Sequence, residues 1–271
     1  MIRIACAQLD VVFGDLAANT ARAVEVLEAQ SGFGVDMVVF PECFLTGYAV
    51  DDADAGRSIA VGQDALLPLQ EACDNFNVLA VVGFAESGSG TLYNSAALLE
   101  PGRAARIYRK THLPELGLDK FVTPGDRIEV FETRIGRLGL FVCFDLRHPE
   151  CARCLTLMGA DILVLPTNWP VGAQAAPEHI APARAAENKV FLAACNRVGT
   201  ENGFAFIGRS GIFGLGGECL ARAGDGEEVI VADIEPEDAR DKRNVMVPGA
   251  YETTVLASRR PDLYGALTGE P

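Results

Sequence analysis

Gly139-Leu140-Phe141-Val142-Cys143-Phe144-Asp145-Leu146-Arg147-His148-Pro149-Glu150 is the stretch on which the reading of the fold turns. It opens as an apolar, β-prone run and closes on polar residues with Pro149 and Glu150, and an apolar, helix-compatible segment over 151–160 follows at once. The pattern predicts strand, tight turn and helix start, with Cys143 where the strand stops. A thiol there stands at the rim of a sheet, near backbone N–H groups that lack a strand partner. Such amides can stabilise a thiolate or bind an oxyanion. Free cysteines also serve as small apolar residues in buried strands, so position alone leaves Cys143 open between the two roles.

Working outward, residues 2–9 read as a strand and 19–30 as an amphipathic helix with Ala, Val and Leu at helical spacing. A short apolar run at 36–40 breaks at Pro41-Glu42. A helix over 65–75 leads into the continuous apolar run 78–84. Strand-like pieces at 94–99 and 104–109 flank the turn residues Pro101-Gly102. Beyond the central stretch come an apolar strand at 161–166, a helix over 183–188, a strand at 190–195, and then strands with Gly-rich turns as far as Ile234. Five of these strands are apolar throughout, which requires layers above and below the sheet. Two sheets back to back with helices outside would cover every apolar face. No linker, charge run or internal repeat interrupts the chain, so residues 1–271 read as one domain, with 248–271 as a tail lying on the surface or on a neighbouring subunit.

Composition narrows the partners. Lys and Arg number 23 against 37 Asp and Glu, a net charge of −14, which disfavours nucleic acid and anionic membrane. No apolar leader or transmembrane span is read, which points to the cytoplasm, where the eight cysteines are expected as thiols. Cys151-Ala152-Arg153-Cys154 is a lone C-x-x-C inside a predicted helix, without a second pair, and is read as structural; no metal is assigned.

A cysteine nucleophile needs an activator, because a free thiol is only a few per cent thiolate at neutral pH. The chain has three histidines, His112, His148 and His179. Lys110 follows a strand-like segment and could hold a thiolate or an oxyanion by charge. Glu42 ends an apolar strand, where partial desolvation raises a carboxyl toward the range of a general base. Each has an ordinary alternative: Lys110 as solvated surface charge, Glu42 as a helix cap.

Pro41-Glu42 after one strand, Arg109-Lys110-Thr111-His112-Leu113 after another and Cys143-Phe144-Asp145-Leu146-Arg147 after a third occur together in one family. The chain resembles the carbon–nitrogen hydrolase (nitrilase-like) superfamily over nearly its whole length. Further matches are Leu45-Thr46-Gly47-Tyr48, Tyr93-Asn94-Ser95, Thr123-Pro124-Gly125-Asp126, Asn168-Trp169-Pro170 and Arg184-Ala185-Ala186-Glu187-Asn188. The resemblance implies an α-β-β-α sandwich and a Glu–Lys–Cys triad: Glu42 as general base, Lys110 as the cation, Cys143 as nucleophile, with the Phe144 N–H helping to hold the oxyanion. It implies no cofactor. It also implies a second acid after the lysine, for which Asp119 is the better match and Glu115 the runner-up. His148 replaces the more usual phenylalanine, and His112 is read as ordering its loop. Tyr48, Asn168, Trp169 and Arg209 are implied as substrate walls, with Arg209 and Arg184 as candidate partners for a substrate carboxylate or for structural salt bridges.

The activity implied is hydrolysis of a small linear amide through a thioester. Phe-Asp after the nucleophile favours it, since nitrilases of the family typically carry Trp-Glu there. Nitrile hydrolysis and N-carbamoyl cleavage are the alternatives, acyl transfer a weaker one, and a catalytically silent scaffold is the alternative of another class. A homodimer or larger assembly is expected, with 151–160 at or beside the interface. Lys110→Met is expected to abolish turnover at little cost in stability.

Overall fold

Alternate residues of the first strand serve two different apolar layers. Ile4 and Cys6 enter one core, and Ala5 and Ala7 enter another. Met37, Val39, Leu79 and Val81 join the first set, while Val38, Phe40, Ala80 and Val82 join the second. This is the consequence of strands that are apolar on both faces: each must be covered twice.

The structure, a computed structural model, describes residues 1–88 and 90–269. The chain begins with β1 (Ile2–Gln8), α1 (Leu16–Gly32), β2 (Met37–Val39), α2 (Ala53–Ile59), α3 (Leu67–Phe76), β3 (Leu79–Gly88), β4 (Thr91–Leu99) and β5 (Arg106–Arg109). It continues through β6 (Val130–Thr133), β7 (Gly136–Leu140), α4 (Pro149–Leu157), β8 (Ile162–Pro166), α5 (Ala181–Asn188) and β9 (Phe191–Cys195). The remainder is β10 (Thr200–Glu201), β11 (Phe204–Ala205), β12 (Gly211–Phe213), β13 (Cys219–Arg222), β14 (Glu228–Ile234), β15 (Asn244–Val247) and β16 (Tyr251–Thr253).

Two six-stranded sheets form, in the orders β14-β1-β2-β3-β4-β5 and β13-β12-β9-β8-β7-β6. In each, three central strands run parallel and the flanking strands antiparallel. The sheets pack face to face through Ile4, Met37, Leu79, Leu140, Ile162 and Leu192. Ala23 and Leu27 of α1 with Leu69 and Cys73 of α3 cover the outside of the first sheet. Cys151 and Leu155 of α4 with Ala181 and Ala185 of α5 pack with the second sheet's core. The α-β-β-α sandwich expected from the sequence is the fold.

Boundaries differ where local chemistry decides. Asp15 accepts from the Ala18 N–H at 3.0 Å, which starts α1 before the predicted residue 19. Pro149 opens α4, and the helix stops at Leu157, short of the predicted 160, with Gly159 left-handed beyond it. The small apolar residues read as an outer face mostly turn inward: Cys151, Ala152, Leu155 and Ala160 are buried in this chain's own core. Only Cys154, Leu157 and Met158 stay outside. The tail forms the β15–β16 hairpin, and its Val255, Arg259, Tyr264 and Leu267 line a groove with Pro149, Glu150 and Arg153. Residues 270–271 of the expected tail lie outside the described residues. Among the described residues no helix is long and apolar enough to cross a membrane.

Candidate active site

The site gathers at strand ends of both sheets. Glu42 follows β2, Lys110 follows β5, Cys143 lies beyond β7, and Thr167 and Asn168 follow β8. The ends of β2, β7 and β8 are carboxyl ends of parallel strands, where open α/β sheets place ligands.

Glu42 is held by a tight crossing. Its loop runs against β3, where the Gly83 N–H donates to Pro41 O at 3.2 Å and the Leu45 N–H donates to Gly83 O at 3.1 Å. A Cβ on residue 83 would fall 2.4 Å from the Cys43 nitrogen and 2.6 Å from the Glu42 Cα, so the close approach requires glycine.

Lys110 lies between two carboxylates. Its Nζ donates to Glu42 Oε1 at 2.7 Å and to Asp119 Oδ2 at 2.6 Å, and all three side chains are fully buried. Asn94 of β4 bridges the same pair, its Nδ2 donating to Glu42 Oε1 at 2.7 Å and to Asp119 Oδ1 at 2.9 Å. Tyr48 OH lies 2.8 Å from Asp119 Oδ2 and 2.9 Å from Leu116 O. Burial pushes the Glu42 carboxyl up and the Asp119 charge adds to this, against the pull of Lys110 and Asn94. Burial works against the lysine's charge as well, but Asp119 and Glu42 outweigh it and hold Lys110 well above the ordinary lysine value. The ammonium therefore stays charged, and burial makes Glu42 a better proton acceptor than an ordinary glutamate.

Cys143 opens a 3-10 turn over Cys143–Arg147 with a left-handed φ of +45°. A non-glycine residue held in that region is costly and marks functional turns. Phe144 is the second residue of the turn, so its N–H has no acceptor within it. Burial, then the charge of Glu42, push the Cys143 thiol up to about 12, while Lys110, Thr167 and the Asn168 N–H act in the other direction. Glu42 Oε2, Thr167 Oγ1 and both amide atoms of Asn168 are buried without a hydrogen-bond partner among the described residues. Buried polar atoms are ordinarily paired, and these four belong to the residues that surround the sulfur.

The other predicted residues divide. Asp119 is inside the network; Glu115 is exposed and outside it, so its side chain turned to solvent removes it as the second acid. Tyr48 is committed to Asp119 rather than forming an open wall. Trp169 is buried, and its backbone N–H donates to Asn196 Oδ1 at 2.7 Å. Arg209 is paired at 3.1 Å with both Glu178 and Asp225, and Arg184 with Glu187 at 2.9 Å and the Leu146 carbonyl, so both guanidinium groups are engaged in structural bonds. His112 bonds to Asp145 at 2.7 Å and orders its loop, and His148 stacks on it at 4.0 Å. Sequence reasoning gave no role to Asn94, Tyr108 or the structural part of Asp145, although Tyr93-Asn94-Ser95 stood among the matches to the family.

Fold and site define a thiol hydrolase built on strand ends. The family model for carbon-nitrogen hydrolases matches residues 3–244, and the chain belongs to that family. It is 35% identical over 250 residues to a nitrilase of Pyrococcus abyssi, covering 90% of this chain and 93% of the relative. It is 33% identical over 276 residues to an (R)-stereoselective amidase of a Pseudomonas species, covering 100% of this chain and 96% of the relative. The carbon-nitrogen hydrolase of Helicobacter pylori superposes with a TM-score of 0.86 at 26% identity, covering 99% of this chain and 98% of that one.

Proposed function

We propose that the protein hydrolyses a small linear amide through a thioester on Cys143. The observation that carries this reading is the fully buried Glu42–Lys110–Asp119 cluster beside a cysteine in a left-handed turn. Because the Cys143 thiol is raised, it enters the reaction protonated and must lose its proton as it attacks. Glu42 takes that proton while the sulfur bonds to the amide carbon. The oxygen gains negative charge and is held by the Lys110 ammonium and the Phe144 N–H. Glu42 returns the proton to the leaving nitrogen, the C–N bond breaks, and ammonia or an amine departs. Water, deprotonated by Glu42, then cleaves the thioester, giving the acid and the free thiol. Asp119 keeps Lys110 charged and in place.

Nitrile hydrolysis is the second reading, supported by the Pyrococcus relative's name; Phe144-Asp145 after the nucleophile favours the amide. Release of ammonia from a panel of amides, nitriles and ureido acids decides. Turnover of nitriles alone, or of ureido acids alone, overturns the amide reading.

The same reading extends to assembly and place. A homodimer is supported by Leu157 and Met158, about half exposed on α4, and by Tyr251, Leu263 and Leu267 on the tail. A stable 28.8 kDa particle in light scattering at micromolar concentration would overturn it. A cytoplasmic location is supported by eight cysteines that are all unpaired, and secretion of the protein in an oxidised form would count against it.

A further inference from the structure

Asp145 sits in the Cys143 turn, is fully buried, and accepts more hydrogen bonds than capping that turn requires. Its Oδ2 accepts from the Val142 N–H at 2.8 Å, which is the local cap. The remaining donors come from the other sheet's segment: Tyr108 OH to Oδ2 at 2.8 Å, and Thr111 Oγ1 and the His112 N–H to Oδ1 at 3.0 and 2.9 Å. His112 Nδ1 lies 2.7 Å from the same oxygen. Val142 directly precedes the nucleophile, and Thr111 and His112 directly follow Lys110.

We infer that Asp145 is a positioning residue, which clips the turn carrying Cys143 to the segment carrying Lys110 and so fixes the thiol-to-ammonium geometry; this rests on the Glu42–Lys110–Cys143 reading above. Apolar contact between two sheets has no direction and resists sliding weakly, whereas a carboxylate with several donors fixes both distance and angle. The charge persists in this dry place because, although burial opposes it, bonds from His112, the Val142 N–H and Tyr108, with the Lys110 charge, hold Asp145 below the usual carboxylate range. Cys151 completes a trio with His112 and Asp145 whose potential ligand atoms lie within 4.8 Å of one another. Oδ1 is already engaged by Thr111 and His112, so the trio is a hydrogen-bonded knot rather than an open metal site.

The test is Asp145→Asn, which keeps shape but places an NH₂ group against donors. The expected result is a native circular dichroism spectrum, KM for an amide substrate little changed, and single-turnover acylation slower by about tenfold or more, the scale of a small misplacement. Alkylation of Cys143 by iodoacetamide should slow as well, and combining Asp145→Asn with Lys110→Met should slow it no further than Lys110→Met alone. Wild-type acylation and alkylation rates in Asp145→Asn, or effects that add in the double variant, overturn the inference. If Asp145→Asn does not fold, Tyr108→Phe with Thr111→Val cuts cross-sheet bonds and keeps the Val142 cap; wild-type rates there overturn it too. The alkylation readout needs no substrate. Absence of turnover on every amide therefore defeats the proposed function, and not this inference.

Discussion

Lys110 Nζ and Asp119 Oδ2 stand 2.6 Å apart with both side chains out of reach of solvent, and Glu42 closes on the same ammonium from 2.7 Å. One cation thus offsets two carboxylates in a dry pocket, which makes the lysine as much a structural element as a chemical one.

Lys110→Met should abolish turnover, since a full charge at the oxyanion exceeds the roughly 10²–10³ of a single donor. A stability cost larger than the small one read from sequence is also expected, because removing one partner of a buried ion pair costs about 3–5 kcal/mol. Glu42 or Asp119 can recover part of this by binding a proton. Denaturant melts should show the deficit shrinking as pH falls, and an unchanged midpoint at neutral pH would refute the argument.

Cys143→Ala should fold normally and lose all turnover, because the thiol proposed to carry the acyl group is gone. Mass spectrometry with a slow amide should find the acyl adduct on Cys143 in the parent protein. An adduct on Cys43, the buried neighbour of Glu42, would displace the assignment.

The acid limb of the kcat/KM profile should lie above 4.5, the ordinary glutamate value, because burial raises Glu42 and the base works only when ionised. Asn94→Leu removes a bond that favours the charged form, so it should move that limb further up. A limb shifted below the ordinary value, or one that Asn94→Leu leaves in place, contradicts this role. Because the thiol is raised to about 12, no thiolate absorbance should appear near neutral pH.

His148 is lowered from 6.5, by burial and by the charge of His112 stacked at 4.0 Å. The unfolded chain then binds this proton at higher pH than the folded one. Stability from this group is therefore complete above about 6.5 and drains as pH falls from there through the lowered folded value. His148→Phe should lose less stability than the parent between pH 7 and about pH 5, read from denaturant midpoints. Equal losses would show that the stacked ring is not the sensor.

The sandwich was legible because strands such as β2 have no polar face, so Val38 and Val39 had to be covered from opposite sides. Glu42, Lys110 and Cys143 stood out because each follows a strand-like segment, and only their occurrence together in the family resemblance singled them out as a proposed triad. The left-handed backbone of Cys143 left no mark, since a cysteine carries no signature for that conformation. Arg209 looked available for a carboxylate because Glu178 and Asp225, far off in sequence, could not be seen to claim it. The α4 segment was read as an outer face because composition reports how apolar a helix is, and only the packed chain reports which way it turns.

Gly83 has no side chain to offer a substrate and lies far in sequence from Glu42, whose Cα a Cβ there would crowd to 2.6 Å. A saturation screen scored by catalysis would rank this position beside the nucleophile, and a screen scored by expression would register it too, because the added Cβ meets backbone atoms and not the end of a flexible side chain. For this protein, the map of where variation is tolerated and the map of where the reaction happens diverge at that glycine. A library meant to change the acyl preference has to leave it untouched.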